Sequence, residues 1–480
     1  MSLDWADLED RLHLADPGRA VGRVANLVGM IVEVADLGAP VGSLCRIETG
    51  RHGAPVLCEV VGFRDDRLLV MPYQEARGIA PGCRATILAS HLTVPVGPAL
   101  LGRVVDGLGR PLDGGPGLGS LPRVKLGGTP PSAMHRRRVT DAVSTGIRSI
   151  DSMITTARGQ RMGIFAGSGV GKSVLMGMLA RQARVDVNVL ALIGERGREV
   201  REFIERDLGP EGLARSVVVV VTSDESAVMR AKGADTAMTI AEQFRDSDHE
   251  VLFMMDSATR YAMALREIGL AAGEPPTTKG YPPSTFAALP RLCERAGWSE
   301  INAMTAFFTV LIEGDDIHDP VGDAMRSILD GHVMLSRDLA RQHHYPAVDV
   351  LGSVSRLRSD IVEAPDREAG ARLMQWLKTL EDNRDLVNIG AYVAGADPVL
   401  DEALAREKDI RAFLKQDVLE STDVETSLAG LRQLTGIKAP AAAAPAATSP
   451  AAKPAAAKPV PARPTAARLT APGTRTSGTA

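Results

Sequence analysis

The sequence predicts an α/β chain in four parts: a small N-terminal β-barrel, a central core with a mostly parallel sheet, a C-terminal helical domain and a disordered tail. Three observations carry this. Short β-rich runs separated by turn residues fill about 20–96. Strand-sized apolar runs then alternate with helical patterns from about 97 to 360. Beyond 360 the strands vanish, helical periodicity continues, and the chain ends in alanine and proline.

A chain of 480 residues is too long for one hydrophobic core. Its 45% hydrophobic and 24% charged residues fit a soluble enzyme and exclude a wholly disordered protein. The purest apolar run, Val217–Val221, is strand-sized, far below the roughly 20 residues of a membrane-spanning helix. The opening residues Met1 to Trp5 lack the basic start and apolar stretch of a secretory signal, so a cytoplasmic location is expected. Cys45, Cys58, Cys83 and Cys293 have no CxxC spacing and support neither a disulfide framework nor a zinc site.

Residues 1–19 read as an amphipathic helix, with Trp5, Leu8 and Leu12 on one face. In the barrel region, 20–96, strands are expected at Met30–Val34, Val56–Val61, Leu68–Met71 and Ala85–Leu88, between turn signals such as Pro81-Gly82. In the core, 97–360, they are expected at Met162–Phe165, Val187–Ile193, Ser216–Val221, Val251–Asp256, Ala306–Leu311 and Ala347–Leu351. Runs this apolar suit strands buried on both faces. Between them, Val174, Leu175, Met178 and Leu179 share a helical face, as do Val200, Phe203, Ile204 and Leu208. In 361–437, Leu373, Leu377 and Leu380 share another, and Asp397-Pro398 reads as an N-cap with proline following. Thr422 with Glu425 has the form of a capping box, and Gly436 closes the last helix.

The tail, 438–480, holds 17 Ala and 8 Pro in 43 residues, with six basic and no acidic side chains. Proline recurs too often for a helix to propagate there, which predicts disorder. The overall charge of −4 therefore hides a body with 49 basic against 59 acidic residues. An acidic body argues against nucleic-acid binding.

The strongest chemical signal is Ala166-Gly-Ser-Gly-Val-Gly-Lys-Ser173, between an expected strand and an expected helix. Gly167, Ser168, Gly169, Val170 and Gly171 would let the backbone curl with its N–H groups around phosphate oxygens. Lys172 would reach the outer phosphates of a nucleotide, and the Ser173 hydroxyl would meet Mg²⁺. Hydrolysis needs more. Asp256 ends a buried strand where a metal-side carboxylate would sit, and Glu195 follows another as the candidate to orient water. Arg356 follows the last core strand; spacing alone leaves both an arginine finger and a plain ion pair open.

These stretches resemble the flagellar protein-export ATPases of the type III secretion family, themselves similar to rotary ATP synthase catalytic subunits. The resemblance rests on Gly159–Ser173, Asp256–Ala262 and Pro346–Arg356, and covers about 20–437. The run Gly273–Gly297 is not expected in the synthases, and its Lys279–Ser284 portion looks more flagellar than injectisome-like. The resemblance implies a RecA-like P-loop core, with ATP and Mg²⁺ as ligands. It makes Glu195 the catalytic glutamate, puts Arg196 and Arg260 near the γ-phosphate, and places Asp256 on the metal through water. Tyr345 would stack on adenine, and Arg356 would enter a neighbouring subunit's site in a homo-hexamer. Implied partners are an ATPase regulator at the N-terminal helix, a central coiled-coil stalk protein, and an export gate with chaperone–substrate complexes. Peripheral attachment to an inner-membrane export apparatus is implied as well.

The resemblance implies ATP hydrolysis coupled to flagellar protein export, with an injectisome ATPase or a rotary synthase subunit as alternatives. A nucleotide-binding regulatory subunit is set aside by Glu195, and an RNA translocase by the acidic body and 4% aromatic content. Asp315, Asp316, His318 and Asp319 read as a partner-contacting loop rather than a metal site, and His343-His344 lacks ligand partners. Arg136-Arg137-Arg138 reads as a solvated run.

Overall fold

The computed structural model describes residues 20–50, 53–132, 134, 136–312 and 319–438. The expected N-terminal helix, nearly all of the expected tail, and Asp315, Asp316 and His318 lie outside the described residues. Among the described residues, no helix is long and apolar enough to cross a membrane.

Six strands close the barrel: β1 (Val21–Val28), β2 (Ile31–Ala35), β3 (Leu44–Ile47), β4 (Val56–Arg64), β5 (Arg67–Pro72) and β6 (Arg84–Ala89). Their order is β1-β2-β5-β4-β3-β6, every pair antiparallel. Alternate side chains fill the interior, among them Val32, Val34, Ile47, Val60 and Val70. Cys45 and Cys58 face each other across β3 and β4 as free thiols, and burial pushes Cys45 up to about 11. Sequence reading misses β1 and β3. In β1 most side chains are exposed, and β3 is four residues long, so neither offers a clear apolar run.

A short ribbon of β7 (Thr93–Pro95) and β9 (Arg123–Lys125) leads into the core. The core sheet contains β8 (Val104–Val105), β10 (Arg161–Ala166), β11 (Val187–Glu195), β12 (Ser216–Thr222), β13 (Val251–Asp256), β14 (Gly297–Trp298), β15 (Ala303–Leu311), β16 (Gly331–Leu335) and β17 (Val348–Ser355). Its order is β17-β16-β10-β15-β13-β11-β12-β8, with β14 paired to β15. All pairs are parallel except β14/β15 and β16/β17. Both faces are covered, so β12 and β13 carry almost wholly apolar runs; Val217, Val218 and Val219 have no exposure. The six expected core strands are present. β16 is an addition, hidden in the sequence by Gly331 and His332.

The barrel docks on the core through Lys232 of the helix Ala227–Asp246, which meets Glu59 of β4 at 2.7 Å while Tyr73 Oη donates to Glu59 at 3.1 Å. The Arg136 run is not wholly solvated. The Arg136 guanidinium ion-pairs with Glu294 at 2.9 Å and donates to the Ala296 carbonyl, and Arg137 stacks on Trp298. Those partners lie about 160 residues away, beyond the reach of local sequence reasoning.

Three helices, Ala364–Asp382, Pro398–Leu414 and Val424–Thr435, form the C-terminal bundle. They pack around Trp376, whose ring has Arg372 and Arg406 guanidiniums 5.3 Å from its centroid. Asp397 caps its helix, accepting from Val399 and Leu400 N–H groups, and Gly436 ends the last one in the left-handed region. The capping box at Thr422 does not form: Asp423 is the N-cap and accepts from Thr426 N–H at 2.8 Å. A carboxylate beside the threonine is the better acceptor at a helix's positive end.

Candidate active site

The site grows out of the carboxyl ends of β10, β11 and β13, which share one edge of the sheet because β10 and β13 each pair parallel with β15 and β11 pairs parallel with β13. After Ala166 the chain turns through Gly167, Ser168, Gly169, Val170 and Gly171, and the helix Lys172–Gln182 begins. Gly169 (φ 77°) and Gly171 (φ 93°) lie in the left-handed region, where a side chain would be strained. The helix directs its N-terminal partial charge at the loop mouth. Ser173 lies exposed in that first turn.

Lys172 reaches back between two carboxylates. Its Nζ is 2.5 Å from Asp256 Oδ1 and 3.6 Å from Glu195 Oε1. Burial pushes the Lys172 ammonium down, but the facing Asp256 and Glu195 carboxylates carry it above its ordinary value. Burial pushes the Glu195 carboxyl up to about 7; Asp256 adds repulsion and Lys172 pulls the other way. Thr309 Oγ1 donates to the same Asp256 oxygen at 2.6 Å. Sequence reasoning missed Thr309, although a hydroxyl inside the buried apolar strand β15 is a signal that could have found it.

Glu195 is turned into the site by Gly194, whose φ is 74° and where a Cβ would come within 2.9 Å of Arg260 Cβ. Arg260 stands in the first turn of the helix Ala258–Ala272, capped by Ser257. Its Nε is buried without a hydrogen-bond partner, which fits a cation kept for an anionic ligand. Arg196 is not brought to the cluster. It is exposed and pairs with Glu199 at 2.9 Å, because the chain turns outward into the helix Gly197–Glu202.

Tyr345 lies on the other side of the loop. A Cβ on Gly171 would sit 3.5 Å from its Cε1, and the residue is 42% exposed. Arg337 is a second unforeseen neighbour: a Cβ on Gly167 would meet its Nη2 at 3.0 Å.

Arg356 is not in this site. β17 runs antiparallel to β16, so Ser355 pairs with Gly331, which in turn pairs with Met162 near the start of β10. That leaves Arg356 at the opposite edge, on the order of 13 Å of strand from the loop. It is exposed there and donates to the Arg326 carbonyl at 3.0 Å. Asp319 serves as an N-cap, accepting from Gly322 N–H at 2.9 Å.

The oxygen donors present, the Ser173 hydroxyl and the Asp256 carboxylate, are hard ligands of the kind Mg²⁺ takes. A glycine cradle with an ammonium behind it is built for polyphosphate.

Three family models match stretches of this chain. The nucleotide-binding domain of the ATP synthase alpha/beta family matches residues 146–355, and that family's beta-barrel domain matches 24–88. The T3SS EscN ATPase C-terminal domain matches 362–433. A flagellum-specific ATP synthase of Bacillus subtilis is 50% identical over 89% of this chain and 98% of its own. The chain belongs to the family of flagellum-specific ATP synthases and type 3 secretion system ATPases. Another member, the type 3 secretion system ATPase of Xanthomonas euvesicatoria, is 49% identical over 89% of this chain and 97% of its own. Among solved members, the assembled ATPase EscN from the enteropathogenic E. coli type III secretion system superposes with TM-score 0.82 at 41% identity, covering 86% of this chain and all of that one. EscN in complex with its central stalk EscO gives 0.80 at 40% identity, with the same coverage.

Proposed function

We propose that this chain hydrolyses ATP to drive protein export through a flagellar type III apparatus. The observation that carries the reading is Lys172 held between Asp256 and Glu195 directly behind the glycine loop. In this reading Gly167 to Gly171 wrap the phosphates, Lys172 moves from Asp256 onto the outer phosphate oxygens, and Ser173 and Asp256 would hold Mg²⁺. The ion would supply charge neutralisation to the phosphates. Glu195 orients the attacking water and takes its proton, Arg260 faces the γ-phosphate, and Tyr345 offers its ring to adenine. Arg196 is given a role only on closure, since its present partner is Glu199.

Arg356, at the far edge of its own sheet, acts in the next subunit's site, which makes the working form a homo-hexamer. The assembled EscN structure supports a ring, and its complex with EscO supports a central stalk partner. A regulator at the N-terminal helix, an export gate with chaperone–substrate complexes, and a cytoplasmic position at the inner membrane complete the proposal. Export by an injectisome is the second reading, favoured by the nearly equal identity to the Xanthomonas protein. A rotary synthase subunit is disfavoured by the matched EscN-type C-terminal domain.

The test is ATPase rate against protein concentration for the intact chain and for Arg356→Ala. Specific activity rises with concentration in the wild type, and the variant loses about a thousandfold or more while still binding nucleotide. Concentration-independent activity that survives Arg356→Ala refutes the shared site.

A further inference from the structure

Two arginines meet at the far edge of the core sheet. Arg356 Nη2 donates to the carbonyl of Arg326 at 3.0 Å, and the Arg356 N–H donates to the Asp330 carbonyl at 3.0 Å. Arg326 occupies the last turn of the helix Pro320–Ile328. Its guanidinium lies back over the ring of Phe165, 4.9 Å from the centroid. Phe165 is the penultimate residue of β10, and the phosphate loop begins two residues later at Gly167.

The Phe165 ring has no freedom to yield. It is fully buried, meets the His332 ring edge-on at 5.5 Å, and folds over Gly163, where a Cβ would come within 2.4 Å of Phe165 Cε2. The helix carrying Arg326 is equally fixed: Val321 and Met325 are fully buried beneath it, and Asp319 caps its start. Arg326 thus touches the strand that carries one phosphate loop and the arginine that faces outward. Packed interiors transmit small displacements rather than absorbing them.

We propose that Arg326 is a positioning residue for Arg356, linking the state of a subunit's own phosphate loop to the pose in which it presents Arg356 to its neighbour. This rests on the reading of Arg356 as acting across the subunit boundary. When nucleotide draws the end of β10 toward the loop, Phe165 and the cation stacked on it move together. The last turn of the helix then re-aims the carbonyl that holds the Arg356 guanidinium. One filled site in this way tunes the rate of the next.

The test compares steady-state ATPase of the intact chain, at protein concentrations where activity per chain has saturated, for Arg326→Ala, Arg326→Lys, Arg356→Ala and the Arg326→Ala/Arg356→Ala double variant. Misplacing the arginine predicts a kcat loss of about tenfold to a hundredfold in Arg326→Ala, with nucleotide affinity within about twofold of wild type and a shallower dependence on ATP concentration. Arg326→Lys, which keeps a cation over Phe165, recovers most of the rate. The double variant is no slower than Arg356→Ala alone, because the two changes remove one effect. Should Arg326→Ala fail to fold, Arg326→Gln, which keeps the stem of the side chain, shows the same kcat loss. An unchanged kcat in Arg326→Ala or Arg326→Gln, or multiplicative losses in the double variant, overturns the proposal. Those outcomes beside an inactive Arg356→Ala leave the shared site standing, whereas a fully active Arg356→Ala removes both.

Discussion

Lys172 Nζ rests 2.5 Å from Asp256 Oδ1, so the cation proposed for phosphate is paired with the carboxylate proposed for the metal. Each neutralises the other in a buried place where a lone charge would be costly. Mg-nucleotide would replace both partners together, which ties metal and phosphate binding to a single rearrangement.

Asp256→Asn separates the two. The neutral side chain no longer competes for Lys172, so nucleotide binding without Mg²⁺ is as tight as wild type or tighter. The gain in affinity on adding Mg²⁺ disappears, and hydrolysis falls at least a hundredfold. Fluorescent-nucleotide titrations with and without Mg²⁺ check this; an intact Mg²⁺ response shows that Asp256 does not serve the metal.

Glu195 sets a pH dependence. Burial, with repulsion from Asp256, raises its carboxyl to about 7, so the ionised base becomes available as pH rises through that value. The kcat/KM profile for ATP therefore climbs through an apparent value near 7 in the free enzyme, and Glu195→Gln leaves a low, flat profile. Stability runs the opposite way. A raised carboxyl binds its proton more tightly in the folded state, so its contribution is full at low pH and is lost as pH rises through about 7. Glu195→Gln should accordingly raise the melting temperature relative to wild type at pH 8, the gap closing toward pH 5. An equal gap at both values contradicts the assignment.

Tyr345 lies against Gly171 and is 42% exposed, and its hydroxyl makes a long bond, 3.4 Å, to the Ala340 carbonyl. The ring, not the hydroxyl, is what adenine would use. Tyr345→Phe keeps KM for ATP, whereas Tyr345→Ala raises it about tenfold with kcat less affected, a loss on the scale of one stacking contact. A wild-type KM in the alanine variant rules out the shelf.

The six cations of residues 438–480 carry no catalytic role in this account. Deleting residues 439–480 leaves kcat and KM within about twofold of wild type. A large loss, read in the same ATPase assay, would show that the segment takes part in catalysis or assembly.

Much of the fold is legible in the sequence because burial leaves a local mark. The valines of β12 and the run ending at Asp256 announce strands covered on both faces, and glycines at 169 and 171 announce a turn that only they adopt easily. β1 and β16 leave no such mark: one is largely exposed, and the other opens with glycine and histidine. Arg136 reads as solvated because its partner Glu294 is remote in sequence, and Arg196, which the family resemblance puts near the γ-phosphate, adjoins Glu195 yet pairs with Glu199. Adjacency along a chain does not fix direction; the outward turn after β11 does.

By itself the sequence determined the phosphate loop, the buried strands and the carboxylates that end them, since loop chemistry and apolar runs are properties of neighbouring residues. Only the tertiary structure decided which of those carboxylates share Lys172, that Thr309 joins them, and that Arg356 stands at the opposite edge from its own subunit's glycine loop. The reason lies in strand direction: β17 pairs antiparallel with β16, and the hydrogen bonds that choose a direction are made between segments the sequence does not place side by side.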